Sequence, residues 1–158
     1  MFQGKVLGIY TAPARKEPMV SQQEVHVVPG KGIEGDRYYI GNATYSDRAG
    51  PHREITLIER ESLDALEREY GYSLEPELSR RNVLVSGVPL NHLIEREFTL
   101  GDVRLRGLLL CEPCANLAET SGRSNIINHL LHRGGLRAEI LTEGTISVGA
   151  DILPAGED

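Results

Sequence analysis

The chain has 158 residues, a length typical of one domain and sufficient to bury a core without disulfides. A formal net charge of −6 excludes a broad basic face of the kind that nucleic acid or an acidic membrane requires, while leaving room for a local basic pocket. The start, Met1-Phe2-Gln3-Gly4-Lys5, lacks the apolar run of a signal peptide, and no stretch approaches the roughly 18 apolar residues of a membrane span; the expectation is a cytoplasmic protein with no membrane and no nucleic-acid partner.

Lys5 to Tyr10 forms the first strand candidate, broken by Pro13. In Val20 to Val28, Val25 and Val27 alternate with Glu24 and His26, the period of a half-buried strand. Pro29-Gly30-Lys31-Gly32 ends it and leads into a charged, glycine-punctuated loop, Gly32 to Tyr39; residues 41 to 53 are polar and read as surface loop. Glu54 to Ile58 is a strand. A helix follows over Glu61 to Tyr70, with Leu63, Leu66 and Tyr70 on one face and Gly71 at its end. Residues 72 to 79 connect to a strand, Arg81 to Val85, and Ser86-Gly87-Val88-Pro89 turns into a short helix at Leu90 to Ile94. A strand end and turn occupy Phe98 to Asp102, and Val103 to Leu110 is a strand. Ser124 suits the N-cap of a helix over Asn125 to His132, stopped by Gly134-Gly135. Leu136 to Leu141 and Thr145 to Val148 are then predicted to form a hairpin around Glu143-Gly144, with at most a short strand in the tail. No repeat or linker divides the chain. Many short strands with a few helices, not in regular alternation, predict one mixed, mainly β domain over residues 1–158.

The chemistry concentrates at Cys111-Glu112-Pro113-Cys114, which holds both cysteines. A bridge between them would close almost no loop, so their closeness reads as chemistry in a reducing setting. Three functional readings compete with a plain pair of buried thiols. A thioredoxin-like redox pair needs a βαβ setting that the pattern does not offer. A zinc site is suggested by His129 and His132, although the final two-residue gap is shorter than usual and a domain of this size needs no zinc to fold. The third reading makes Cys114 a single metal-ligating or sulfur-carrying thiolate: it stands where a strand hands over to a helix, beside free backbone N–H groups that favour the thiolate. Pro113 fixes its approach, and Asn116 and Thr120 are nearby donors. Elsewhere, Lys31 and Arg37 offer a grip on a phosphate, against the plain reading of Asp36-Arg37 as a surface turn. In Arg80-Arg81-Asn82, adjacent arginines on a strand should diverge, one toward a pocket and one toward solvent.

Taken together, Gly32-Ile33-Glu34-Gly35-Asp36-Arg37, Ile55-Thr56-Leu57-Ile58, Arg81-Asn82-Val83, Gly101-Asp102-Val103, Pro113-Cys114 and Gly144-Thr145-Ile146-Ser147-Val148-Gly149 resemble, in order, the MOSC domain, named for the C-terminal part of molybdenum cofactor sulfurases. The resemblance implies a β-barrel with a few peripheral helices and a molybdenum-cofactor (molybdopterin) site whose cysteine, at Cys114, ligates the metal or carries sulfur. It implies Lys31, Asp36, Arg37, Arg81 and Asn82 as cofactor-binding candidates. Some larger relatives reduce N-hydroxylated compounds at molybdenum; others are sulfur-transfer domains fused to a cysteine desulfurase. The expected partners are therefore a small-molecule substrate and either a separate electron-donating reductase, since the chain has no flavin, haem or iron–sulfur signature, or a sulfur donor. Tyr38 departs from the pattern, because many relatives have His there.

Overall fold

The computed structural model describes residues 1–41 and 53–155. In chain order they form β1 (Gly4–Thr11), β2 (Val20–Gln22), β3 (Glu24–Val28), β4 (Gly32–Ile33), α1 (Arg37–Ile40), β5 (Ile55–Glu59), α2 (Arg60–Tyr70), β6 (Val83–Ser86), β7 (Glu97–Leu100), β8 (Val103–Leu110), α3 (Ala115–Ser121), α4 (Ile126–His129), β9 (Leu136–Ile140), β10 (Gly144–Ser147) and β11 (Asp151–Pro154), with 3-10 turns at Pro76–Ser79 and Leu90–Leu93. Seven strands, in the order β1-β11-β7-β8-β9-β5-β6, return to β1 and close a barrel; β2 lies outside the closure against β1. The barrel pairs are antiparallel except β5–β6, which α2 joins as a parallel crossover. A smaller sheet, β10-β3-β4, stands apart.

The period of two in each strand decides the layers. Leu136, Ala138 and Ile140 of β9, with Val103, Leu105, Ile55, Leu57, Val83, Val85 and Phe98, fill the barrel interior. The alternate residues Ile58 and Leu84 face outward against Leu63 and Leu66 of α2, Leu117 of α3, and Ile126 and Leu130 around α4. This outer face, covered by helices, carries the cysteine loop. On another rim, Met1, Phe2, Pro89, Leu93, Pro154 and Ala155 line a mostly apolar groove of about 760 Å³. No helix among the described residues is long and apolar enough to cross a membrane.

Most expected elements are present; besides the expected loop over Gly32 to Tyr39, which holds β4 and most of α1, three differ. The strand expected over Val20 to Val28 is two, broken at Gln23, because β2 pairs with the barrel and β3 with the small sheet. The hairpin between the last two long strands does not exist: β9 lies between β8 and β5, whereas β10 pairs with β3. Leu141 instead donates its N–H to the Arg104 carbonyl at 2.8 Å, and Glu143 leaves toward His26 at 2.7 Å. The helix expected from Ser124 shrinks to the single turn of α4, preceded by Asn125 and finished before His132, whose φ is +64°. The polar loop predicted over 41 to 53 lies mostly outside the described residues.

Glu54 pins the start of β5. It is buried, and its Oε1 accepts the N–H of Ile140 at 2.9 Å and of Gly30 at 3.2 Å. Burial raises its carboxyl pKa, against the lowering by these two bonds. With a folded pKa above the unfolded one, its favourable contribution is full below the unfolded pKa and is lost as pH rises through the folded value. Glu54→Gln keeps the accepting oxygen and removes the buried charge. It should therefore unfold at higher urea than wild type at neutral pH, the gap closing in acid; a pH-independent gap would contradict the assignment.

Candidate functional site

The cysteine loop is fixed from below. β8 ends at Leu110, and Cys111 adds one more rung by donating its N–H to the Gly135 carbonyl at 2.7 Å. Its side chain is only 1% exposed. Pro113 is buried, and Cys114 emerges exposed in an extended conformation as the N-cap of α3. Arg81 holds the loop in place: Nε donates to Gly134 O at 2.8 Å, Nη2 to Cys111 O at 2.9 Å and Nη1 to Ser79 O at 3.3 Å. Close approach there demands glycine: a Cβ on Gly134 would lie 2.7 Å from Cys111 O, and one on Gly135, at φ +121°, 2.2 Å from Leu57 O. Glu112 fastens the outer side, accepting the His132 N–H at 2.7 Å and meeting the ring Nδ1 at 2.8 Å.

The glycine-rich segment builds a second fixed cluster. Asp36 is fully buried; its Oδ1 accepts the Ala12 N–H at 3.1 Å and pairs with Arg37 at 3.2 Å. Arg37 also donates to Met19 Sδ at 3.3 Å and to Arg80 O at 3.1 Å. Asp36 is thus part of the interior and not of a surface turn. The expected divergence of Arg80 and Arg81 is also corrected: both are 7% exposed, because Arg80 leaves strand geometry at φ +65° and points inward. Arg80 donates to Glu17 O, and its pKa is lowered by burial and then by the neighbouring Arg37. Two buried polar atoms here lack a hydrogen-bond partner among the described residues, Asp36 Oδ2 and Arg80 Nε. Arg80 also lines a groove of about 460 Å³ with Lys16, Met19, Glu77 and Thr120, between the β1–β2 connection, the first 3-10 turn and α3.

Of the other predicted residues, Asn82 is committed to the frame. Its Oδ1 accepts both the N–H and the hydroxyl of Thr56 at 3.1 Å, and its Nδ2 donates to Tyr10 O at 3.1 Å. Lys31 is exposed, 5.7 Å over the Tyr39 ring. The structure adds one residue that sequence reasoning missed. Arg137 of β9 is half-buried; burial works against its charge, but the neighbouring Cys111, Tyr38 and Cys114 outweigh it and hold its pKa above the ordinary value. The alternation Leu136-Arg137-Ala138-Glu139-Ile140 placed Arg137 opposite the core, but nothing local showed what lay over that face.

The sequence model of the MOSC domain matches residues 33–153. The chain belongs to the MOSC family. Among solved structures similar to this MOSC chain is YuaD from Bacillus subtilis, with a TM-score of 0.80 at 18% identity, covering 96% of this chain and 97% of that one. YiiM from Geobacillus stearothermophilus matches at 0.75 and 15% identity over 97% and 75% of the two chains; YiiM from Escherichia coli matches at 0.68 and 18% over 100% and 71%. At these identities the likeness concerns the fold. No curated protein matches the chain in sequence.

The MOSC barrel does not assemble the two-Cys, two-His set that the spacing suggested. His129 stacks on Tyr70 with ring centroids 3.5 Å apart and meets the Tyr72 hydroxyl at 2.9 Å, while His132 is turned to Glu112. Among the described residues, no three His, Cys, Asp or Glu side chains converge as a metal-binding group.

Proposed function

We propose that this MOSC protein binds the molybdenum cofactor with Cys114 as its protein ligand and reduces N-hydroxylated compounds, with electrons from a separate reductase. The observation that carries the reading is the contrast between the two cysteines: one exposed thiol, Cys114, on a loop held rigid through the buried Cys111 backbone. The residues present suit such a group. A soft thiolate is a fitting molybdenum ligand. Asp36 Oδ2 and Arg80 Nε supply an unpartnered buried acceptor and donor, which a polar heterocycle can satisfy, and Arg80 also lines the adjoining groove, where Lys16, Glu75 and Glu77 bring charge of both signs. When bound, the cofactor supplies the two-electron change and the oxygen-accepting centre.

The chain's own part is positional. Arg81 fixes the loop, Cys114 ligates, and Arg137 places a permanent positive charge beside the thiols. In the overall reaction an N–O bond breaks, two electrons and two protons are taken up, and the amine and water leave. Protein produced in a cofactor-competent host should carry close to one molybdenum per chain and reduce a simple hydroxylamine with a chemical or enzymatic donor. Fully loaded protein that turns over none of several such substrates would sink the reading.

The exposure of Cys114 also favours a second reading, a sulfur carrier. Its thiolate would attack the outer sulfur of a donor persulfide, forming a new S–S bond while the donor thiolate leaves. A mass gain of one sulfur at Cys114, without tightly bound molybdenum, would select this alternative.

A further inference from the structure

We propose that Glu112 and His132 are positioning residues that clamp the cysteine loop, so that Cys114, and not Cys111, is the thiol presented. The proposal rests on the reading of Cys114 as the working thiol and names what decides between the two cysteines.

The loop is fastened on two sides. From inside, Arg81 donates to the Cys111 carbonyl at 2.9 Å. On the outside, one carboxylate holds two atoms of one residue: Glu112 Oε1 accepts the His132 N–H at 2.7 Å, and Oε2 meets the ring Nδ1 at 2.8 Å. His132 is itself fixed from behind, because its carbonyl accepts from Asn91 Nδ2 at 2.6 Å. Asn91 belongs to the 3-10 turn Leu90–Leu93, whose Leu90 N–H donates to Glu59 Oε2 at 3.1 Å. Glu59 is the last residue of β5, so the outer fastening runs from the cysteine loop back to the barrel.

An isolated exposed ion pair would hold little. Here the carboxylate grips a backbone N–H as well as a ring, and a third bond anchors the same residue. The His132 side chain is 72% exposed, so it serves no core packing, and its contact with Glu112 is what the ring adds. Its backbone stands at φ +64°, a costly conformation for a residue with a Cβ, which persists where the surroundings over-determine it. Glycine would adopt that conformation freely, and Gly134 and Gly135 stand just beyond. A turn alone would be served by glycine; a turn that also grips the loop needs the ring. Glu112 lies between the two thiols in the chain. Holding its side chain to His132 fixes the course that leaves Cys111 inside, 1% exposed, and brings Cys114 out.

The test uses the full chain made without cofactor and excess iodoacetamide, with the rate of labelling at each cysteine read by peptide mass at several urea concentrations below the unfolding transition. Wild type should label quickly at Cys114 and slowly at Cys111. Glu112→Ala, which loses both bonds, should raise the Cys111 rate about tenfold, and His132→Gly, which loses the ring bond alone, about threefold. Glu112→Gln, which keeps an accepting oxygen for the His132 N–H, should fall between wild type and Glu112→Ala. In all of them the Cys111 rate should depend little on urea, as for a local opening. His132→Gly should also hold or raise the midpoint of global urea unfolding, because the backbone strain is gone. A looser loop in an equally or more stable protein separates a clamp from general support of the fold. Unchanged Cys111 labelling in folded Glu112→Ala and His132→Gly, or labelling that rises only in step with global unfolding, would overturn the clamp. Because labelling needs neither metal nor turnover, the expected rates in a protein that never loads molybdenum would support the clamp and count against the reductase reading alone.

Discussion

Replacing Cys114 with serine should strip molybdenum from the protein and leave the barrel standing. The Cys114 side chain is exposed, and its backbone carbonyl, not its sulfur, makes the helix bond to the Ala118 N–H at 3.1 Å. The substitution therefore removes a soft ligand at little structural cost, and the melting temperature should stay within about 2 °C of wild type, as for other exposed positions. Cys111→Ser should behave in the opposite way. That sulfur is buried beneath the loop, so the exchange should lower stability by about 1 kcal/mol through an added buried hydroxyl, while the bound metal remains. Metal content and thermal unfolding of the two variants, made in the same cofactor-competent host, read both quantities. Equal loss of metal from both would remove Cys114 from its role as the lone protein ligand.

Arg81→Met should be the most damaging single change to the scaffold. The methionine fills much of the same volume, but the carbonyls of Ser79, Cys111 and Gly134 lose their donors inside the protein. Leaving even two of these acceptors unsatisfied costs about 3 kcal/mol or more, since each orphaned buried group costs roughly 1–3 kcal/mol. Arg81→Lys should recover little, because one ammonium cannot span carbonyls that a planar fork reaches from several edges. Urea unfolding gives the energy. Limited proteolysis near residues 111–114 should show the loop loosening before the barrel opens. A variant with wild-type unfolding and wild-type resistance at that loop would mean that the arginine is dispensable there.

The parts of this molecule that were legible in its sequence are those written in local periodicity. β8 and α2 were placed within a residue because their apolar spacing and the terminal Gly71, at φ +76°, are local signals. The position of Cys114 at a strand-to-helix junction followed for the same reason. What was not legible depended on which strands become neighbours. The false hairpin between β9 and β10 had good turn residues, but Glu143-Gly144 marks a departure to another sheet. The arginines show the same limit: a motif gives their positions, but not that Arg81 would turn to the carbonyls under the cysteine loop. Arg137 had no motif at all and gained its surroundings only from barrel closure.

That closure is made by the first and last barrel strands, with Gly4 opposite Ile152 and Lys5 bonded to Asp151 at 2.5 Å. As a result Met1, Phe2, Pro154 and Ala155 border one groove. The barrel is therefore suited to grafting: a host protein could receive it within a surface loop, entering and leaving through adjacent points, without a long detour. The same adjacency means that a short peptide could join the two ends and a new break be opened elsewhere. A permuted chain of that kind would have to close its barrel through a different pair of strands last.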